Sequence, residues 1–287
     1  MKFLDLFSGI GGFRFGLEQA GHECVGYVEW DKYARKSYEA IHDTKGEWTA
    51  HDINEVRATD IPRSDIWTFG FPCTDISKAK SEGKGLSGAS SGLFYTVMRL
   101  LEKTEDKPSY LFIENVADLL SINRGWDFAS VILEMDKQGY DAEWKTINSK
   151  GWVPQNRERI YIVGHLRGKN TREVFPIERK GNSKLKQVAT FDIKGMDAIK
   201  RIYDPEGICP TLTTMQGGHR QPKILLRDGR ARKLTPKECW RLQGFPDWAF
   251  EKAQEKNSDS QLYKQAGNSV TVNVIYEIAK RMQGDAE

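Results

Sequence analysis

The chain opens on a short apolar-rich run, Lys2–Phe7, that breaks into Gly9-x-Gly11-Gly12. Phe13, Leu17 and Ala20 then recur at helical spacing, and Gly21 stops the run. Cys24–Val28, Ile66–Phe69, Tyr110–Ile113 and Arg159–Val163 have the apolar, β-branched and aromatic density of strands. Leu93–Glu102 and Trp126–Lys137 read as helices between them. Alternation of this kind over residues 1–165 predicts an α/β fold with a mainly parallel sheet and helices on both faces. From about 166 to 233 the pattern breaks down into scattered Pro, Gly, Thr and Lys, which predicts a smaller, loop-rich domain whose surface matters more than its core. Thr235-Pro236-Lys237-Glu238 restarts regular structure, with Thr as helix cap, Pro at the first position and Glu at the third. Apolar residues at 270, 272, 274, 275, 278, 279 and 282 predict a closing helix, Val270–Met282, packed back on the large domain. The expected division is residues 1–165 plus 258–287 as the large domain and 166–257 as the small one.

At 287 residues the chain is long enough for such a pair of domains. An aromatic content of 11%, with eight Trp, argues against disorder. No apolar run reaches the ~18 residues of a membrane span, and Asp5 stands where a signal peptide would carry its apolar stretch, so a cytoplasmic protein is expected. Cys24, Cys73, Cys209 and Cys239 lie far apart with no C-x-x-C pair, which predicts neither a disulfide framework nor a metal site. The net charge of +3 conceals a polarity: residues 165–256 hold 20 basic and 11 acidic residues, the remainder 23 and 29. A region so biased suits a polyanion; a solvated basic face with no partner is the alternative.

Three strand ends carry candidate chemistry. The glycines after Phe7 let a ligand approach the backbone at the carboxyl end of the first strand. Glu29 ends the second strand about twenty residues on, where an acid can bind two ribose hydroxyls; Trp30 beside it can stack on adenine, and Asp52 can accept from an adenine amino group. These residues describe an adenosine cofactor site without separating a nicotinamide dinucleotide from S-adenosylmethionine. Directly after Ile66–Phe69 comes Gly70-Phe71-Pro72-Cys73-Thr74, which puts a thiol at a strand end where its thiolate can act as a nucleophile. A lone Cys is more commonly a small buried hydrophobe. Here a neighbouring strand end delivers Glu114-Asn115-Val116, a carboxyl group suited to general acid work. Gln155-Asn156-Arg157-Glu158-Arg159 then brings two guanidinium groups, each able to fork onto a phosphate or carbonyl.

With these blocks in order, followed by Arg241-Leu242-Gln243-Gly244-Phe245-Pro246 and Gln265-Ala266-Gly267-Asn268-Ser269-Val270, the sequence resembles the cytosine carbon-5 DNA methyltransferases over nearly its whole length. The resemblance implies the Rossmann-like fold of S-adenosylmethionine-dependent methyltransferases, a smaller target-recognition domain, and double-stranded DNA in the cleft between them. It implies a cofactor pocket lined by Phe7, Gly9, Gly11, Glu29, Trp30, Asp52, Ile53, Pro72, Leu93, Asn268 and Val270. Cys73 would attack carbon 6 of a cytosine flipped out of the duplex, Glu114 would hydrogen-bond or protonate ring nitrogen 3, Arg159 would contact the base carbonyl oxygen, and Arg157 would help position base or backbone. DNA contacts are expected from Ser77, Thr211, Leu212, Gln216, Gly217, Gly218, His219 and Arg220, with Lys78–Ser91 as a loop that closes over the flipped base. Thr74 stands where the family usually has Gln, and Gly88 and Ser90 where it usually has Asp and Arg, which bears on loop closure. The compact size fits a prokaryotic or phage modification enzyme, acting as a monomer without a metal. The rivals are an RNA (tRNA) methyltransferase of the same fold, a nicotinamide-dependent dehydrogenase that would leave Cys73 and the two arginines idle, and a catalytically silent DNA-binding protein.

Overall fold

A computed structural model describes residues 1–71, 92–177, 179 and 184–282. Seven strands form the central sheet: β1 (Lys2–Leu6), β2 (Glu23–Val28), β3 (Trp48–Ala50), β4 (Ile66–Phe69), β5 (Tyr110–Val116), β6 (Tyr140–Asn148) and β7 (Glu158–Leu166). Their order is β3-β2-β1-β4-β5-β7-β6. The first five lie parallel, and β7 runs antiparallel to both β5 and β6. The strand order reverses beside β1, so a crevice opens beyond the carboxyl ends of β1 and β4, the place where sheets of this kind bind ligands.

The strands read as apolar runs because both faces of the sheet are covered. Leu4 and Leu6 point into one layer with Trp67, Phe69, Leu111 and Ile113, beneath α3 (Gly92–Lys103) and α4 (Trp126–Lys137). Phe3 points into the other with Phe112, Tyr161 and Val163, against α1 (Gly12–Gln19) and the last helix, α9 (Val272–Ala279). The closing helix expected from the apolar spacing is thus present: Val274, Ile275 and Ile278 are fully buried on this face. It approaches α1 so closely that a Cβ on Gly16 would lie 2.6 Å from Cβ of Ile275. Gly16→Ala should therefore destabilise the fold. Alanine favours an isolated helix by about 0.5–1 kcal/mol, but overpacking here costs about 1–3 kcal/mol. A lower urea midpoint checks this; a higher one would mean that the two helices yield.

The smaller region carries a four-stranded sheet, β8 (Gln187–Thr190), β9 (Arg201–Tyr203), β10 (Lys223–Leu225) and β11 (Ala231–Lys233), in the order β11-β10-β9-β8, with one helical turn, α5 (Asp197–Lys200). Next come α6 (Pro236–Leu242), α7 (Asp247–Gln254) and α8 (Asp259–Asn268). The helix start at Thr235 is a full capping box: Glu238 N–H donates to Thr235 Oγ1 at 3.2 Å and Thr235 N–H to Glu238 Oε2 at 2.7 Å. Helix α6 touches the small sheet through the Arg232–Glu238 ion pair at 2.7 Å, but α6 and α7 also pack on the large domain. Trp240, Phe245, Ala249 and Phe250 share a core with Ile10, Phe15 and Ile41, and the Phe15 ring meets Phe245 and Trp248 at 5.3 and 5.7 Å. The expected boundary at 257 therefore does not coincide with a break in packing, since apolar residues on both sides of it contribute to one core.

Candidate active site

The turn after β1 is built for close backbone approach. Phe7, Gly9 and Gly11 have φ of 54°, 58° and 83°, and nothing lies within 4 Å of where a Cβ on Gly9 would project. Glu29, at the end of β2, holds the turn: its two carboxylate oxygens accept from Gly9 N–H and Asp31 N–H, each at 2.7 Å. Burial pushes the Glu29 carboxyl up, against those two donors. Trp30 beside it leaves 72% of its surface open. Asp31 caps α2 (Lys32–Ile41) through Tyr33 N–H at 2.8 Å and Ala34 N–H at 3.2 Å. Asp52 caps the short turn Ile53–Glu55, accepting from Asn54 N–H at 2.9 Å, and Ile53 is buried beneath it. Leu93 packs on the core at the start of α3. Val270 closes the far side, where a Cβ on Gly12 would be 2.7 Å from its Cγ2, and Asn268 ends α8, exposed, two residues before it. The expected cofactor residues that are described thus line the ends of β1, β2 and β3 and the neighbouring C-terminal segment. Pro72, Cys73 and Ser77, the loop Lys78–Ser91, and the departures Thr74, Gly88 and Ser90 lie outside the described residues.

The next strand ends carry the candidate acid and the arginine expected beside it. Glu114 sits in β5 with only 8% of its surface exposed. Arg159 Nε is 3.2 Å from its Oε1, within ion-pair reach though not aligned as a hydrogen bond. On its other side, a Cβ on Gly70 would lie 3.5 Å from Glu114 Oε2, so the carboxylate faces the carboxyl end of β4, three residues before Cys73. Asn115 Nδ2 donates to Phe71 O at 3.2 Å and ties the same two strand ends together. Beside Arg159 a cleft of about 270 Å³ opens, lined by Val116, Asn148, Asn156 and Thr211 among others. The other three cysteines are unsuited to attack at neutral pH: burial pushes the thiols of Cys24 and Cys209 up to about 12, and that of Cys239 up also.

Arg157 departs from its expected role. It is 3% exposed and donates to the carbonyls of Leu212 and Gly267, each at 3.4 Å, and of Ser269 at 2.7 Å. A guanidinium so enclosed by peptide oxygens braces the backbone and does not present itself to a base. Leu212 also departs from expectation as a DNA contact, because it is 1% exposed, within the core that holds Trp240 and Phe245. Thr211 beside it is exposed at the cleft, its hydroxyl donating to Asn156 O at 2.5 Å.

Gln216, Gly217, Gly218, His219 and Arg220 form an exposed turn, in which Met215, Gly217, Gly218 and His219 all have positive φ between 51° and 66°. The buried Met215 anchors it. A residue without any motif to betray it braces the other end: Lys223, 5% exposed, donates Nζ to the carbonyls of Ile199 at 2.7 Å, His219 at 2.8 Å and Gln221 at 3.3 Å. Burial lowers its pKa. Lys223→Met strands these carbonyls, at about 1–3 kcal/mol for a buried group left unpaired. The expected results are a lower melting temperature and faster tryptic cleavage after Arg220; an unchanged cleavage rate would show that the turn holds itself.

Comparison with known proteins decides what this arrangement is. The family description "C-5 cytosine-specific DNA methylase" matches the chain over residues 1–204 and 193–284. The chain belongs to this family. Among its relatives, the type II methyltransferase M.HhaI of Haemophilus parahaemolyticus is 34% identical, over 97% of this chain and 93% of that one. M.Bsp6I, a type II methyltransferase of Bacillus sp. (strain RFL6), is 33% identical over 98% of each. The structure of the Entamoeba histolytica methyltransferase EhMeth has the same fold, with a TM-score of 0.75, 18% identity and 96% of each chain covered.

Membership makes this a DNA (cytosine-5)-methyltransferase of the S-adenosylmethionine-dependent class. The residues present fit that cofactor on two grounds. Ser8 Oγ, at the glycine turn, is buried without a partner among the described residues, and the space beside Gly9 is open. Asp5, under the same turn, is wholly buried; Thr68 Oγ1 donates to its Oδ1 at 3.1 Å, and burial pushes its carboxyl up to about 8. Asp5 Oδ2 and Ser8 Oγ, both buried without a partner among the described residues, leave polar atoms at the turn beside open space, as a ligand seated there would need. Among the described residues no helix is long and apolar enough to cross a membrane.

Proposed function

We propose that the chain methylates carbon 5 of a cytosine flipped out of double-stranded DNA, through a covalent adduct with Cys73. The observation that carries this reading is the position of Glu114: a nearly buried carboxylate between Arg159 and Gly70, the latter three residues before Cys73 in the sequence. Carbon 5 of cytosine is a weak nucleophile, and addition at carbon 6 makes it an enamine carbon. The thiolate of Cys73 forms the bond to carbon 6, and the displaced electron pair moves to carbon 5. Glu114 places a proton or hydrogen bond at ring nitrogen 3, and Arg159 faces the charge developing on the ring carbonyl oxygen. When bound, S-adenosylmethionine supplies one electrophilic methyl group. Loss of the carbon 5 proton to a base re-forms the ring double bond and expels the thiolate.

Phe7, Gly9, Gly11, Glu29, Trp30, Asp52, Ile53, Pro72, Leu93, Asn268 and Val270 hold the cofactor in this reading. Glu29 meets the ribose hydroxyls and Trp30 the adenine. Thr211 and the exposed Gln216–Arg220 turn meet DNA, with Ser77 added from the sequence. The two lobes correspond to a cofactor domain and a recognition domain with DNA between them. Type II relatives support a modification enzyme beside a restriction system, working as a monomer in the cytoplasm where its DNA is. The test is incubation with tritium-labelled S-adenosylmethionine and either duplex DNA or tRNA. Label should enter DNA; label confined to tRNA would overturn the substrate assignment. Binding to duplex DNA should also weaken by orders of magnitude between ~50 and ~200 mM salt, because the basic 165–256 region neutralises several phosphates. Salt-insensitive affinity would remove that region from the DNA surface.

A further inference from the structure

The Arg241–Pro246 block has no part in the chemistry, yet its Gln243 is completely buried at the join between the cofactor wall and the recognition segment. Its Nε2 donates to the carbonyls of Ala266 at 2.7 Å and Ser269 at 3.3 Å, on either side of Asn268. Its Oε1 accepts from Thr271 Oγ1 at 3.1 Å and from Gln155 Nε2 at 3.3 Å. Gln155, also fully buried, accepts from Leu212 N–H at 3.2 Å through its own Oε1. Arg157 grips the other backbone group of the same residue through Leu212 O, and from there reaches back to Gly267 O and Ser269 O. One buried network thus clamps Leu212 by both its N–H and its C=O and clamps the 266–269 backbone by three carbonyls. A second contact joins the same two segments without any side chain. Gly267 presses on Thr213 so tightly that a Cβ there would overlap Thr213 O.

We infer that Gln243, through Gln155 and Arg157, is a positioning residue that makes occupancy of the cofactor pocket and the posture of the recognition segment 209–215 a single linked variable. Buried, mutually satisfied amides cannot shift one at a time without stranding a partner. When a ligand fixes Asn268 and Val270, the network transmits that order to Leu212, and through Thr211 to the cleft where the target nucleotide enters. By reciprocity, DNA held at 209–215 tightens the hold on the cofactor. The inference rests on the reading that residues 7–12, 29–30 and 268–270 bind S-adenosylmethionine.

Hydrogen exchange with the full chain tests it, using S-adenosylhomocysteine at saturating concentration and no DNA. In the wild type, exchange should slow in residues 7–12 and, by about fivefold or more, in residues 209–215, a factor at the low end of ordinary couplings. In Gln243→Leu the 7–12 protection should persist while the 209–215 effect falls below about twofold. Gly267→Ala is the second variant. A Cβ there would overlap Thr213 O, so the two segments must part at a cost in stability that a urea midpoint reads, and in the folded variant the same decoupling should follow. Protection at 7–12 without protection at 209–215 in the wild type would overturn the inference and leave the methyltransferase reading intact. Full 209–215 protection retained in a folded variant would overturn it too, whereas no protection at 7–12 in the wild type would count against the cofactor site itself.

Discussion

Cys73→Ser should lower methyl transfer to duplex DNA by about 10⁴-fold or more while leaving the affinities for S-adenosylmethionine and DNA within about threefold of wild type. The magnitude follows from removing the nucleophile that the covalent route requires, an operation that costs other enzymes up to about 10⁶-fold. A serine hydroxyl occupies similar space but has no accessible anion at neutral pH, and no neighbouring thiol can substitute. Burial pushes the thiols of Cys24, Cys209 and Cys239 up, and Cys24 lies in the layer with Phe3 and Phe112, Cys239 in the core with Trp240 and Phe245. The check is a single-turnover assay with labelled cofactor, run beside binding measurements. Loss of binding along with activity would point to a structural role for Cys73.

Glu114→Gln is expected to reduce turnover by about 10²–10³-fold, within the range typical of general acid catalysis, with little change in the Michaelis constant for the cofactor. The amide retains the shape that fits between Arg159 and Gly70, and it can still offer a hydrogen bond. What it lacks is the proton that nitrogen 3 takes as negative charge builds on the ring. It also leaves Arg159 without its ion partner in a nearly enclosed site, where a lone guanidinium is held less firmly. Loss of turnover smaller than about tenfold would mean that Arg159 and the backbone alone stabilise the ring charge, and the role assigned to Glu114 would pass to them.

Glu114 was legible in the sequence because an apolar strand, Leu111-Phe112-Ile113, ends abruptly in an acid, and strand ends in a parallel sheet meet at one crevice. The same logic found the Gly9–Gly12 turn and Glu29. One strand of the central sheet was not found. In β6, Tyr140-Asp141-Ala142-Glu143-Trp144-Lys145 alternates apolar and polar residues, as an outer-edge strand covered on one face does, so it lacks the continuous apolar run that marks the buried strands. Arg157 misled for a physical reason: a guanidinium beside a second Arg in a functional block suggests a ligand contact, whereas here three peptide carbonyls from distant segments enclose it. Those carbonyls come from residues 55 to 112 positions away, which no local pattern announces. Leu212 and Lys223 are of the same kind, each defined by what folds over it. The small sheet escaped prediction because its strands are only three or four residues long and interleaved with loops.

The claim at the centre of this account is that Cys73 becomes covalently bound to the cytosine it methylates. Duplex DNA bearing 5-fluorocytosine at the target, incubated with the enzyme and S-adenosylmethionine, replaces by fluorine the proton that must leave carbon 5. The prediction is a denaturant-stable complex of protein and DNA whose cross-linked peptide maps to Cys73, and its absence from Cys73→Ser. Methylation of ordinary DNA by the same preparation without any such complex would contradict the account.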